Sequence, residues 1–295
     1  MSPDVAQSVP FVAMGTEIVA DAGGAEVRVS ADYAADVVLS AADSSWDGTG
    51  LLGPVAISLP KEIRGKHGQA VNNGSIVYLD SSAQGTDVVV QATSDDAVKI
   101  HTVTKSNGSG KKYTYSFGDA TPVLGADGSV ILTRSVSGSG VTGRVIVATI
   151  APAWAVDANG NPVSTHYEVS KKGELTQIIS PGKNAVYPIV ADPKVVTSRD
   201  SVGHVVWDIY FSKSETSKIS AGATIAAAVF ALSSLIPLPP WPAIAQALAG
   251  VAGTYAGIAA YYLASNACLN VTATLASYAV VSTLIPWAYR GGYCV

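Results

Sequence analysis

The sequence predicts an α+β, multidomain protein: an N-terminal antiparallel β-sandwich-like domain over residues 16–193, then an α-helical hairpin domain over 205–295 with a disulfide-tied tail. Three observations predict it. Short β-branched runs separated by Gly, Asn, Asp and Ser fill the chain from Thr16 to Pro193 without a helical period. From Ile219 to Tyr289 no Asp, Glu, Lys, Arg or His occurs, and a proline-rich break divides the Ala-, Ile- and Leu-rich part of that stretch. The two cysteines, Cys268 and Cys294, both fall near the C-terminal end. Residues 1–15 read as an N-terminal extension and 194–204 as a polar connector.

With 295 residues the chain is large for one domain and comfortable for two. Its net charge of -4 and pI near 5.5 give no electrostatic footprint for nucleic acid or for an anionic membrane surface. After Lys218 the only Asp, Glu, Lys or Arg is Arg290, so the two parts are different materials. The opening Met1-Ser-Pro-Asp-Val-Ala-Gln7 lacks a basic n-region and an apolar h-region, so no signal peptide stands in this sequence; a leader removed on export is expected.

Taken in order, the candidate strands are Glu26 to Val29, Val55 to Leu59, Ser75 to Leu79, Asp87 to Ala92, Val98 to Thr104 and Lys112 to Phe117. Val130 to Thr133, Arg144 to Ile150, Thr165 to Val169 and Leu175 to Ile179 follow. Asn73-Gly74, Asn107-Gly108, Asp127-Gly128 and Asn159-Gly160 punctuate them with dipeptides that accept the positive φ of a tight hairpin. Many short strands at this spacing argue for a sandwich. In Lys112-Tyr-Thr-Tyr-Ser-Phe117 the period of two puts Tyr113, Tyr115 and Phe117 on one face.

The run Ala151-Pro-Ala-Trp-Ala-Val-Asp-Ala-Asn-Gly-Asn-Pro-Val-Ser-Thr-His-Tyr-Glu-Val169, followed by Leu175-Thr-Gln-Ile-Ile179 and closed by Tyr187-Pro-Ile-Val-Ala-Asp-Pro193, resembles the β-domain of a group of secreted actinobacterial proteins of uncharacterised activity. The resemblance spans roughly Asp87 to Pro193 and brings no catalytic residue with it. A weaker similarity to segments that follow such domains lies in Val206-Trp-Asp-Ile-Tyr-Phe-Ser-Lys-Ser-Glu215 and Tyr289-Arg-Gly-Gly-Tyr-Cys294. What the resemblance implies is a secreted protein of two parts.

In the second part Val205 to Phe211 suits one further strand, and Ser212-Lys-Ser-Glu215 has capping-box spacing. A first helix is therefore expected from near Lys213 to Ile236, a turn at Pro237, Pro239, Pro240, Trp241 and Pro242, and a second arm from Ala243 to Ser265. The apolar first arm, Ile219 to Ile236, and the second arm each have about the 17–25 residues needed to cross a bilayer. Ala245, Ala249, Gly253 and Gly257 recur every four residues and match a row of Ala223, Ala227 and Ala231 in the first arm, which predicts close packing of the two backbones. Beyond Cys268 the alternating Leu269, Val271, Leu275, Val280 and Val281 fit either strand or a third helix.

The cysteines read more easily as one disulfide than as a metal site, because His67, His101, His166 and His204 all lie outside their region. A disulfide implies an oxidising compartment; two buried thiols are the alternative. No Gly-x-Ser-x-Gly elbow occurs, and His101 and His166 fall within expected strands as structural residues. Gly138-Ser-Gly-Val-Thr-Gly143 matches a dinucleotide pattern but leads into a strand, without the helix N-terminus that would bind pyrophosphate. Asp157-x-Asn159-x-Asn161 resembles a calcium loop, yet lacks the downstream Glu and meets Pro162, so a hairpin turn is favoured. Asp43, Asp95 and Asp96 read as solvated.

No catalytic residue, cofactor or metal is therefore expected. The sequence points to a secreted, non-enzymatic effector whose hairpin, carried or shielded by the β-domain, acts on target-cell membranes as a toxin or bacteriocin-like module. The alternative is an extracellular or cell-envelope protein that binds a cell-surface protein and uses the hairpin structurally. Oligomeric state stays open.

Overall fold

The computed structural model describes residues 7–14, 17–22, 25–41, 53–63, 67–71, 74–138, 141–197, 205–222, 241–277, 280–290 and 294. The chain divides into two compact units, one of Met1–Ala42, Pro54–Leu132 and Ala148–Thr197, the other of Asp43–Gly53, Thr133–Val147 and Ser198–Val295.

Antiparallel β-structure dominates the first unit. A five-stranded sheet has the order β1 (Val12–Met14), β2 (Glu17–Asp21), β3 (Ala25–Ser30), β4 (Val37–Ala41), β5 (Val55–Ile57). A larger sheet has the order β11 (Thr121–Leu124), β12 (Val130–Gly138), β13 (Val141–Ile150), β18 (Lys194–Thr197), β9 (Ala97–Thr104), β8 (Thr86–Thr93), β7 (Ser75–Tyr78), β6 (Gln69–Val71). Residues 133–147 of β12 and β13 belong to the second unit. A three-stranded sheet runs β10 (Lys112–Tyr115), β16 (Leu175–Ser180), β15 (Ser164–Val169).

The sandwich follows from alternation. In β8 Val88, Val90 and Ala92 are fully buried while Asp87, Val89 and Gln91 between them are half-buried. The layers are cross-linked by tyrosines. Tyr113 of the three-stranded sheet places its hydroxyl 2.7 Å from Thr104 Oγ1 and 3.0 Å from Thr86 Oγ1, both on the large sheet, and within 2.6 Å of Gly110 O. The Tyr78 hydroxyl of the large sheet donates to Ser30 O at the end of β3. Tyr113, Tyr115 and Phe117 are all buried, as their shared face predicts.

Two expected boundaries move. Residues read as an extension enter the fold: Ser8 bridges Thr93, and β1 pairs with β2. Lys194–Thr197, read as the start of the connector, is strand β18. It continues the line of β17 (Ile189–Asp192) along β9, in unbroken register on either side of Pro193. At Pro193 the chain exchanges its other neighbour, from β14 (Trp154–Val156) to β13. The Asp192-Pro193 closure is thus a pivot inside the sheet.

The second unit carries the sheet β19 (Val205–Tyr210), β20 (Cys268–Ser277), β21 (Val280–Tyr289), with helices α1 (Lys213–Ser220), α2 (Trp241–Gly250) and α3 (Ala252–Ala264). The stretch beyond Cys268 is strand, which its Val, Thr and Ile content favours. Helix α1 starts as expected: Ser212 Oγ accepts from Glu215 N at 3.3 Å and Glu215 Oε2 accepts from Ser212 N at 2.8 Å. It does not run to Ile236. It stops at Ser220, and Gly222 adopts φ +92°, the left-handed conformation that ends a helix. The second arm is also broken, at Val251 with φ -118°, directly after Gly250.

Most of the expected first arm and its turn, residues 223–240, lie outside the described residues; the described part of the second unit consists of short helices on a sheet, which does not support two bilayer-length arms. Among the described residues no helix is long and apolar enough to cross a membrane. Helices α1 and α3 pack against one another and on β20. Thr216 fixes α1 there, its Oγ1 donating to Ser212 O at 2.8 Å and accepting from Leu269 N at 3.1 Å. Cys268 and Cys294 form the expected disulfide.

Candidate functional site

A cleft of about 430 Å³ opens on the first unit, lined by His67, Gln69, Leu79, Asp80, Ser81 and Lys105. Three short segments meet there because β6 pairs with β7, β7 with β8 and β8 with β9. Gly68 sets the first of them. Its N–H donates to Ala31 O at 2.7 Å, and a Cβ at this position would stand 2.6 Å from the ring of buried Tyr78, so only glycine lets the His67–Gln69 segment lie this close to the sandwich.

Charge in the cleft is tied internally. Lys105 Nζ lies 2.7 Å from Asp87 Oδ1 and donates to Asp80 O at 2.6 Å, while Asp87 Oδ1 also accepts from Asp80 N at 2.7 Å. Asp80 Oδ1 accepts from Ser82 N at 2.8 Å and shapes the turn. Around this knot stand an imidazole, an amide, a hydroxyl and the 51% exposed Leu79. Among the described residues no hydrogen bond joins the Ser81 hydroxyl to His67, so the cleft offers donors and acceptors without an assembled nucleophile–base pair.

The second unit presents a different surface. Leu269, Val271 and Ala273 are fully buried on the helix side of β20, and the alternating residues Asn270 and Thr272 face away. Register places Trp287 beside Asn270 and Ile285 beside Thr272. Trp287 is 54% exposed and Ile285 41%. Next to them Tyr210 and Tyr289 pack edge to face with ring centroids 4.7 Å apart. Neither β20 nor β21 contains a charged residue.

The residues singled out from sequence fall as follows. Ala249, Gly253 and Gly257 are exposed, and among the described residues nothing lies within 4 Å of a Cβ built at Gly253 or Gly257. Ala245 lies in α2. Ala223, Ala227, Ala231, Pro237, Pro239 and Pro240 lie outside the described residues; Trp241 and Pro242 open α2, where proline's missing N–H costs no helical bond. The buried side of α2 and α3 consists instead of Ile244, Leu248, Tyr255 and Ala259.

Asp157 is a turn organiser. Its Oδ1 accepts from Asn159 N and Asn161 N, both at 2.9 Å, and Oδ2 accepts from Asn161 Nδ2 at 3.2 Å and Val186 N at 3.3 Å. Desolvation works against its charge, but these donors outweigh it and hold the carboxyl below its ordinary range. Among the described residues no group of His, Cys, Asp or Glu is placed to hold a metal ion. Asp95 is not merely solvated: partial burial opposes its charge, and its contacts with Lys194 and with Thr93 Oγ1 at 2.6 Å overcome that and lower its pKa. Asp43 lies outside the described residues. Gly138 ends β12 and Gly143 lies in β13, and among the described residues no helix follows to receive a phosphate.

His101 in β9 packs edge to face on Trp154, centroids 6.2 Å apart, and its Nδ1 has no hydrogen-bond partner. Burial, with Lys99 adding to it, lowers its pKa to about 4, so the ring is neutral at pH 7. His166 lies in β15, its Nε2 3.5 Å from Glu168 Oε1. Among the described residues neither histidine is hydrogen-bonded to a Ser, Thr or Cys side chain. No protein-family model matches the chain, and no curated protein matches it.

Proposed function

We propose that this is an extracellular, non-enzymatic interaction protein of the cell envelope, which binds a cell-surface protein through the open face of its C-terminal sheet. The observation that carries this reading is the exposure of Trp287 and Ile285, two residues apart on β21, on a sheet face to which β20 and β21 contribute no charged residue and β19 contributes Asp208 opposite Thr272. Aromatic side chains of this kind anchor protein interfaces because they bury much apolar area at little entropic cost. The Cys268–Cys294 disulfide, which joins β20 to the chain beyond β21, is compatible with an extracellular setting and ties the tail beside that face.

A second reading keeps the membrane as target. It is favoured by the absence of charge from Ile219 to Tyr289 together with the exposure of Tyr261 and Trp287, residues suited to a lipid interface.

One experiment separates the two. The full chain and its Trp287→Ala variant are incubated with intact actinobacterial cells, with cells pretreated with protease, and with protein-free phosphatidylglycerol–phosphatidylethanolamine vesicles loaded with dye, across pH 4 to 7. Binding to intact cells that is lost on protease treatment and weakened about tenfold by Trp287→Ala supports a protein partner. Vesicle binding or dye release transfers the reading to the membrane. Equal binding by both variants removes the sheet face from either account.

A further inference from the structure

We infer that the cleft of His67, Gln69, Leu79, Asp80, Ser81 and Lys105 on the first unit is a binding site for a neutral, polyhydroxylated ligand of the carbohydrate class. Its volume, about 430 Å³, lies within the roughly 300–1,000 Å³ range of small-molecule sites. The ligand class follows from the state of its polar groups.

An anion is disfavoured. Among the described lining residues the only lysine or arginine, Lys105, already directs two of its three N–H donors to Asp87 Oδ1 at 2.7 Å and Asp80 O at 2.6 Å, and an arriving anion would meet the carboxylate of Asp80. A metal cation is disfavoured as well. Among the described lining residues Asp80 is the one carboxylate, its Oδ1 is engaged by Ser82 N, and a divalent ion needs several oxygen ligands.

A neutral ligand fits what is left. The Gln69 amide and the Ser81 hydroxyl each both donate and accept hydrogen bonds, and the His67 ring stands beside them. A ligand bearing hydroxyls satisfies such groups without the desolvation cost of a charge. Leu79, 51% exposed on the wall, supplies an apolar patch for the C–H face of a sugar ring. The carboxylate of Asp80, held by the turn, accepts from hydroxyls in a fixed direction.

The test is two-dimensional amide NMR of the isotope-labelled full chain, titrated separately with N-acetylglucosamine, maltotriose, sodium phosphate and ethylammonium chloride. Saturable shifts confined to residues around Gln69, Ser81 and Lys105 with one of the sugars are expected, in the millimolar range typical of an open site. Gln69→Ala is expected to weaken that binding about tenfold with an unchanged thermal midpoint, since its side chain is exposed; Leu79→Ser serves as a second such variant. No shift with either sugar up to about 50 mM, stronger binding of phosphate or ethylammonium, or sugar shifts unaltered in both variants would each overturn the inference.

Discussion

The two units of this chain are held together in different ways. The first is stitched through its interior by polar groups: the Tyr113 hydroxyl between Thr86 and Thr104, Asp157 across its turn, Gln177 Nε2 reaching Trp154 O, and Lys194 on Asp95. The second has no charged residue between Ile219 and Tyr289 and relies more on apolar burial, a capping box and one covalent tie, with the Thr216 hydroxyl and the Asn270 amide as polar links inside it. The comparison teaches that the first unit gains uniqueness from satisfied hydrogen bonds, whose directionality fixes register, whereas the second gains it from topology. Conditions that disturb one should leave the other in place.

Reduction is the strongest separator. The disulfide closes a loop with a sequence separation of 26, so Cys268→Ser with Cys294→Ser is expected to destabilise the second unit by about 3–4 kcal/mol. Hydrogen exchange should locate the loss in β20 and β21 and leave β8 and β9 protected; equal loss in both units would erase the distinction.

Acid acts the other way. The pKa of His101, about 4 in the fold, lies below its ordinary 6.5, so as pH falls the unfolded chain takes up the proton first. Stability of the first unit should be constant above about pH 7 and fall by roughly 2–3 kcal/mol between pH 6.5 and 4 through His101, and below that the depressed carboxyls of Asp95 and Asp157 carry the fall further. Replacing His101 by Phe should flatten this slope in denaturant titrations of the first unit, with the second unit unmoved.

A smaller effect is expected from Tyr113→Phe, which deletes one hydroxyl and leaves Thr86, Thr104 and Gly110 O with one partner fewer. A loss of about 1–2 kcal/mol, read as a lower denaturant midpoint at constant m-value, would show the polar stitching at work.

The smallest effect carries the most informative sign. Gly253 and Gly257 are helical and open among the described residues, so Gly253→Ala and Gly257→Ala should each stabilise α3 by up to about 1 kcal/mol. Destabilisation would mean that the small-residue row is close-packed in solution, as its spacing in the sequence suggests.

Legibility followed the range of the interactions. The start of α1 could be read because Ser212 and Glu215 satisfy each other within one turn, and the β-strands because alternation is local. The end of α1 was misjudged: apolar composition continues past Gly222, but the backbone conformation there outweighs it. The face bearing Trp287 could not be read while the stretch after Cys268 fitted helix and strand alike. The cleft was not legible either, because Gln69, Ser81 and Lys105 become neighbours only through the register of four paired strands. The single local clue was Gly68, and a lone glycine says nothing about what surrounds it.

Pro286 sits in β21, at the edge of the C-terminal sheet among the described residues, and pairs with Val271. Proline is accommodated in a strand when its missing N–H falls on the unpaired side, and the Pro286 carbonyl is met by the Tyr262 hydroxyl at 3.3 Å. At the middle of its free margin the strand therefore presents neither a donor nor an open acceptor to another chain. A ten-residue apolar strand without charge is otherwise a template for fibril growth. Here one imino acid and one phenol interrupt that template, and recognition is left to the side chains on the face of the sheet.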